Sequence, residues 1–203
     1  MNFIEQTAKR NNGKGPLEYT VLHACLLAYP HPGMKDEEIA KNRTTARTML
    51  AEMHELVSSA STEEDWAKLR GVGTDADIFV DLARLWQDES LEKAIGAYQT
   101  AVSITTDEAS ESKSVDYRNI RLASNLGTLF HLQGNVETAE RMYQEALSKI
   151  ADEEGKEAEV AKTILAYNLA RAYEDDGDVV KASQWYRDVL RQHPEHVECK
   201  LAF

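Results

Sequence analysis

Three residues near the C-terminus, His193, His196 and Cys199, have the types and the spacing of metal ligands. On one helical face, two imidazoles and a thiolate would suit zinc, but a closed zinc site needs four ligands and no fourth lies nearby in the sequence. His193 also precedes Pro194, which biases its backbone away from helical geometry. We therefore predict a corner between helices here, and no metal or cofactor site.

Two other groupings resemble catalytic elements but have the wrong spacing. His23 and Cys25 could act as base and nucleophile, yet side chains two residues apart on a helix point away from each other. The segment Gly13-Lys14-Gly15 resembles a phosphate-binding loop, which requires a glycine five residues before the Gly-Lys pair and a Ser or Thr after the lysine. Ala8 and Gly15 stand at those two positions. No pair among the many carboxylates stands out either, so we predict that the chain is not an enzyme.

The composition excludes several classes of function. The 203 residues include only 10 glycines and 4 prolines, too few for the many turns of a β-sandwich or barrel. With 23 basic and 35 acidic residues the net charge is −12, which disfavours binding to nucleic acid or to anionic lipid. Two cysteines form no disulfide framework and suit a reducing compartment. We predict an acidic, mainly helical intracellular protein with no membrane contact and no sequence-specific nucleic-acid binding.

Three segments of the chain repeat one order of small and aromatic residues. In each, a small residue is followed three positions later by an aromatic residue, and a later alanine is followed four positions on by a tyrosine. The copies read Leu82-Ala83-x-x-Trp86 with Ala94-x-x-x-Tyr98, Leu126-Gly127-x-x-Phe130 with Ala139-x-x-x-Tyr143, and Leu169-Ala170-x-x-Tyr173 with Ala182-x-x-x-Tyr186. This order is typical of the tetratricopeptide repeat, a hairpin of two helices. A fourth, weaker copy begins at Leu17.

The turn residues and the small residues explain why each copy predicts a hairpin. In Gly134-Asn135 and Gly177-Asp178, glycine accepts the left-handed conformation that ends a helix, and Asn or Asp caps the next one. Gly127 and Ala139 are expected to let the two helix axes approach closely. The predicted fold is all-α, a right-handed tetratricopeptide superhelix of antiparallel helix hairpins.

The spacing of the copies divides the chain. The small residues at positions 83, 127 and 170 are 44 and 43 residues apart, whereas tetratricopeptide repeats recur every 34. We expect the extra residues, 105–114 and 151–159, to form extended second helices and longer loops. The predicted parts are the end of a preceding repeat helix and a linker (1–16), a divergent hairpin with an insertion (17–74), three hairpins (75–194) and the truncated start of a further repeat (195–203).

Five segments carry a resemblance beyond the generic repeat: Asp77–Ala83, Ala97–Ala101, Ser124–Phe130, Tyr167–Tyr173 and Leu190–Pro194. In them the chain resembles the central repeats of the large tetratricopeptide subunits of polymerase-associated factor complexes, fungal ones in particular. The resemblance implies a nuclear, non-enzymatic scaffold whose partners are the other subunits of that complex and RNA polymerase II. It also implies a role in transcription elongation and in co-transcriptional histone modification.

The candidate binding residues follow from the geometry of stacked hairpins, in which the first helices line the inner surface. Residues next to the small–small contact then face inward: Arg84, Asn125, Thr128, Tyr167, Asn168 and Arg171. The arginines would accept an acidic or extended polypeptide through bidentate contacts with carboxylates.

Two other functions stay open. Some tetratricopeptide domains hold a chaperone's C-terminal carboxylate with lysines, asparagines and an arginine. The matching positions here lack lysine, which disfavours a co-chaperone adaptor: Val80, Arg84, Asn125, Ile164 and Asn168. A regulatory or recruiting domain of an enzyme is the other alternative.

Overall fold

The computed structural model describes residues 17–69, 71–109 and 116–201. Within those ranges the chain consists of helices and the turns that join them, with no strand, so the prediction of an all-α fold is confirmed. None of these helices is both long and apolar enough to cross a membrane. The chain divides into two compact units, Met1–Ile104 and Thr105–Phe203. The segment predicted to end a preceding repeat, 1–16, lies outside the described residues.

The first unit is built on a long helix that packs against its neighbours on both sides. Its helices are α1 (Leu17–Ala28), α2 (Asp36–Ser59), α3 (Glu63–Leu69), α4 (Ala76–Trp86) and α5 (Leu91–Ala109), the last belonging to this unit up to residue 104. Helix α2 packs on α1 and α4. Ala46, Leu50 and Met53 of α2 are buried, and their spacing of four and three residues places them on one helix face.

The second unit contains two helix hairpins and a short final helix. Its helices are α6 (Tyr117–Leu132), α7 (Val136–Lys149), α8 (Lys156–Asp175), α9 (Val179–Gln192) and α10 (Val197–Leu201). Helix α7 packs between α6 and α8, α9 packs on α8, and α10 on α9. The five helices share one buried core, to which α10 contributes Cys199 and in which Tyr143, Leu165 and Leu169 are fully enclosed.

Both hairpins of the second unit turn on the same local chemistry. Gly134 and Gly177 each have φ +84°, the left-handed conformation that glycine adopts without strain. The Asn135 side chain accepts a hydrogen bond from the Thr138 backbone N–H, and Asp178 accepts one from Lys181 N–H. The glycine turns and the Asn and Asp caps expected from the sequence are thus confirmed.

The close approach at Gly127 is made by an aromatic ring. A Cβ atom at Gly127 would lie 2.7 Å from Cε1 of Tyr143, and the three atoms nearest to it all belong to that ring. Ala139, the neighbour expected from the sequence, is fully buried in the core of the same hairpin. The glycine therefore provides room for the edge of Tyr143 on the surface of α6.

The second insertion is arranged differently from the prediction. Helix α5 extends to Ala109, as an extended second helix would, although 110–115 lie outside the described residues. At 151–159, however, the longer helix is α8, the first helix of the following hairpin. Helix α7 ends at Lys149 and α8 begins at Lys156. The fully buried Ile150 follows α7 in a non-helical conformation. Acidic residues in the first turn of α8 favour its start there because they complement the helix dipole.

Replacing Gly127 by alanine should destabilise the protein. Overpacking of a core costs about 1–3 kcal/mol, and the gain in helix propensity over glycine offsets about 1 kcal/mol of this. Gly96 in α5 is the matched control, because a Cβ there meets nothing within 4 Å. We expect Gly127→Ala to lower the urea unfolding midpoint followed by circular dichroism, and Gly96→Ala to raise it or leave it unchanged. Equal midpoints for the two variants would contradict the close approach of Tyr143.

Candidate protein-binding face

Arg84, the predicted binding residue of the first unit, is exposed on α4 but already has a carboxylate partner. Its Nη1 lies 3.4 Å from Oδ1 of Asp81, which also accepts a hydrogen bond of 2.6 Å from the Tyr29 hydroxyl. These side chains line a cavity of about 270 Å³ together with Ala28, Pro30, Ile39, Arg43 and Leu85. The positive charge of Arg84 is thus partly neutralised within the unit.

The other five predicted residues lie on α6 and α8 of the second unit, and two of them join neighbouring helices. The Tyr143 hydroxyl donates to Oγ1 of Thr128 at 3.1 Å, and Thr128 donates to the Ser124 carbonyl at 3.0 Å. Asn168 of α8 donates through Nδ2 to Oγ of Ser124 at 3.3 Å. Thr128 and Asn168 therefore hold α7 and α8 to α6, while Asn125 is exposed beside them.

Tyr167 lies one helical turn before Arg171 in the C-terminal half of α8. The Tyr167 ring packs against the rings of Tyr186 and His196, with centroid distances of 6.0 and 5.1 Å. A hydrogen bond with the Tyr167 side chain raises the pKa of Arg171 above its usual value. The guanidinium is exposed, and the negative charge of Asp175 also raises its pKa.

Carboxylates close to Arg171 in the sequence are engaged by other groups. Asp175 lies 2.8 Å from Nε2 of His131, and Glu174 accepts a 2.6 Å hydrogen bond from the Tyr186 hydroxyl. Among the residues that the structure describes, no carboxylate oxygen lies within 4 Å of the Arg171 guanidinium. Arg171 differs in this from Arg84 and is the better placed of the two to receive an acid from outside.

Two aliphatic side chains on the same helix were not among the predicted site residues. Val160 and Ile164 of α8 are 50% and 49% exposed. Ile164 stands where a clamp lysine would be expected in a chaperone-tail adaptor, and Val160 lies one helical turn before it. The sequence indicates that these two side chains lie beside a predicted site residue. Val160, Ile164 and Asn168 follow one another at intervals of four residues and so share one helix face.

The residues that resembled metal ligands or nucleophiles are part of the packing and hydrogen bonding of the helices. The His196 Nδ1 accepts a 3.4 Å hydrogen bond from the Cys199 backbone N–H, and Cys199 is fully buried. Within 17–69, 71–109 and 116–201, no three His, Cys, Asp or Glu residues are placed to hold a metal ion. Burial, and then the charges of Asp81 and Asp75, raise the pKa of the Cys25 thiol, the reverse of what activates a nucleophile.

A tyrosine–carboxylate pair joins α8 to α7 behind the face. Tyr173 donates its hydroxyl hydrogen to Oε1 of Glu140 and accepts a 3.2 Å hydrogen bond from Nε2 of Gln144. Burial, and then this bond to the carboxylate, raise the pKa of Tyr173 to about 12. The hydroxyl consequently stays protonated in the folded protein where an exposed tyrosine would ionise.

Comparison with known proteins supports the repeat assignment. Residues 118–195 match the family described as tetratricopeptide repeat. The chain is 27% identical over 159 residues to the Schizosaccharomyces pombe protein named Tetratricopeptide repeat protein 1, a match that covers 78% of this chain and 14% of the relative. The chain thus spans a small part of that relative's length. The matched region is a tetratricopeptide-type protein–protein interaction domain, a fold that is typically non-catalytic.

The hydrogen bond between Tyr173 and Glu140 predicts a loss of stability in alkaline solution. The pKa of the Tyr173 hydroxyl is higher in the folded protein than in the unfolded chain, where it is about 10. Its hydrogen bond therefore stabilises the fold fully below pH 10, and this contribution is lost as the pH rises through the pKa of the folded state. We expect the difference in unfolding free energy between wild type and Tyr173→Phe to shrink between pH 10 and 12. Urea titrations followed by circular dichroism at pH 9, 10 and 11 would measure it. A difference that does not change with pH would contradict the Tyr173–Glu140 bond.

Proposed function

We propose that this chain is part of a scaffold in a transcription elongation complex that acts on RNA polymerase II. Its partners would be the other subunits of the polymerase-associated factor complex and the polymerase. It would act in the nucleus and would link transcription to co-transcriptional histone modification. Support comes from the five segments that resemble the large subunit of that complex, two of which, Ser124–Phe130 and Tyr167–Tyr173, lie on α6 and α8. The tetratricopeptide match over 118–195 is consistent with a scaffold.

The exposed guanidinium of Arg171 favours a polypeptide partner at the C-terminal half of α8. The chain carries a net charge of −12, and the exposed guanidinium of Arg171 has no carboxylate oxygen within 4 Å among the described residues. Guanidinium groups bind carboxylates through two parallel hydrogen bonds, a geometry that a lysine cannot reproduce. Binding would therefore involve an acidic segment of a partner subunit, laid along the exposed residues of α6 and α8.

The test is direct binding to defined proteins. The chain should bind the purified remaining subunits of a polymerase-associated factor complex, or purified RNA polymerase II, in calorimetric titration and in size-exclusion chromatography. Failure to bind either would contradict the elongation-complex proposal. It would leave the assignment as an interaction domain in place.

Arg171→Glu should weaken that binding. Loss of a charge pair that the partner desolvates costs about 2–5 kcal/mol, whereas loss of a rim charge changes affinity little. Arg141→Glu, on the exposed surface of α7, is the matched control for the change in net charge. Arg84→Glu tests the second predicted arginine, and we expect a smaller effect because Asp81 already pairs with it. Equal affinities for all three variants and the wild type, all folded, would exclude the α8 face as the site.

A further inference from the structure

An open cavity of about 370 Å³ lies in the second unit, where the end of α7 meets α8 and the C-terminal half of α9. Four apolar side chains make up most of its lining: Leu147, Ala166, Trp185 and Val189. Val189 is buried, and the other three are partly buried against the core of the unit. Binding pockets in proteins measure about 300–1,000 Å³ and are lined mostly by apolar and aromatic side chains. The cavity thus has the size and lining of a pocket for one large apolar group.

The cavity lies on a different side of α8 from Arg171. Lys162, Thr163 and Ala166 line it from α8. At about 3.6 residues per turn, successive residues are about 100° apart around the helix axis, so Ala166 and Arg171 are separated by about 140°. A partner in the cavity would therefore contact a surface separate from the one proposed above.

The charged groups of the lining are engaged with other groups of the protein. The Nζ of Lys162 donates to the backbone carbonyls of Ala151 and Glu153, both at 2.8 Å. Nη1 of Arg191 lies 2.7 Å from Oδ1 of Asp188 at the edge of the cavity. Because these charges already have partners, the cavity offers a ligand mainly its apolar surface.

The loop between α7 and α8, beside the cavity, is acidic. Three successive carboxylates follow the lining residue Ala151: Asp152, Glu153 and Glu154. Within the part of the chain that the structure describes, no lysine, arginine or histidine nitrogen lies within 4 Å of these carboxylates. Asp152 and Glu154 are exposed. The edge of the cavity formed by this loop therefore presents negative charge to a partner.

We propose that the cavity holds one large apolar side chain, Phe, Trp or Leu, of a partner segment that carries Lys or Arg close to it. The apolar side chain packs on the ring of Trp185 and on Val189, and the basic side chain faces Asp152 and Glu154. A few buried anchor residues supply most of the binding energy of an interface, and complementary charges at its edge favour the right partner. The inference goes beyond the function proposed above, because it adds a second surface that selects the opposite charge.

A subtractive peptide selection tests the chemistry of the proposed ligand. Ala151→Trp places an indole at the edge of the cavity, and since Ala151 is exposed the helices should persist. A phage library of random 12-residue peptides is depleted on this variant and then panned against the wild-type chain. We expect enriched peptides to carry Phe, Trp or Leu within two positions of Lys or Arg. Enriched peptides with Asp or Glu at those positions, or no enrichment, overturn the inference.

Reversing the charge of the loop tests its role in binding. Asp152→Lys with Glu154→Lys should weaken binding of the selected peptides at least about threefold in fluorescence anisotropy, and reduce its sensitivity to salt. The matched control is Glu52→Lys with Glu55→Lys, which makes the same charge change at exposed positions of α2. Replacing the peptide's basic residues by Glu should restore binding to the loop variant, which a merely structural effect would not do. Equal affinities of wild type and the folded loop variant would contradict the proposed charge selection.

The three tryptophans of the chain report where a peptide binds. Trp66 and Trp86 belong to the first unit, whereas Trp185 lines the cavity. In the chain labelled with 5-fluorotryptophan, each fluorine resonance is assigned by a Trp→Phe substitution. A saturating selected peptide should shift the Trp185 resonance and leave the other two in place. A Trp185 resonance that does not move would mean that the peptide binds elsewhere, and would overturn the inference.

The remaining outcomes separate this inference from the proposed function. A wild-type chain that dimerises in sedimentation equilibrium, with Ala151→Trp monomeric, would identify a second copy as the occupant and overturn the inference. Binding of purified complex subunits that persists in Ala151→Trp would still support the scaffold function. Conversely, selected peptides that shift the Trp185 resonance and respond to the loop variant support the inference even where RNA polymerase II does not bind.

Discussion

The seating of the Tyr143 ring against Gly127 is the contact on which the second unit depends. The ring can approach α6 this closely only because position 127 has no side chain, and its hydroxyl finds an acceptor one residue further along, in Thr128. Tyr143 also belongs to the buried core that includes Leu165 and Leu169 of α8. One aromatic residue on α7 therefore contacts α6 and shares a buried core with α8.

Hydrogen bonds that converge on Ser124 connect this packing to the exposed face. The carbonyl of Ser124 accepts from Thr128 and its hydroxyl accepts from Asn168, so α6 and α8 are joined by a short polar network. Such networks favour one register of two helices because a shifted register would leave polar groups unsatisfied. With α8 held in this register, Ile164 and Arg171 are left exposed on one side of it.

Electrostatics distinguishes the candidate residues from one another. Arg84 and Arg171 occupy matching positions of two repeats, but Asp81 stands three residues before Arg84 where Asn168 stands before Arg171. In the folded units, Asp81 pairs with Arg84, whereas Asp175, four residues after Arg171, is close to His131 instead. His131 lies at the end of another helix, so the sequence of α8 by itself does not show that Asp175 is engaged there.

The sequence by itself determined the helix hairpins, their turns and the small positions of the repeat. These features depend on local physics: the 3.6-residue period of apolar side chains, the left-handed glycines at 134 and 177, and the caps at Asn135 and Asp178. Only the tertiary structure decided that Gly127 meets the ring of Tyr143 and that Asp175 lies against His131. Each of these depends on contacts between residues far apart in the chain, and local spacing carries no information about which distant side chain takes a given partner.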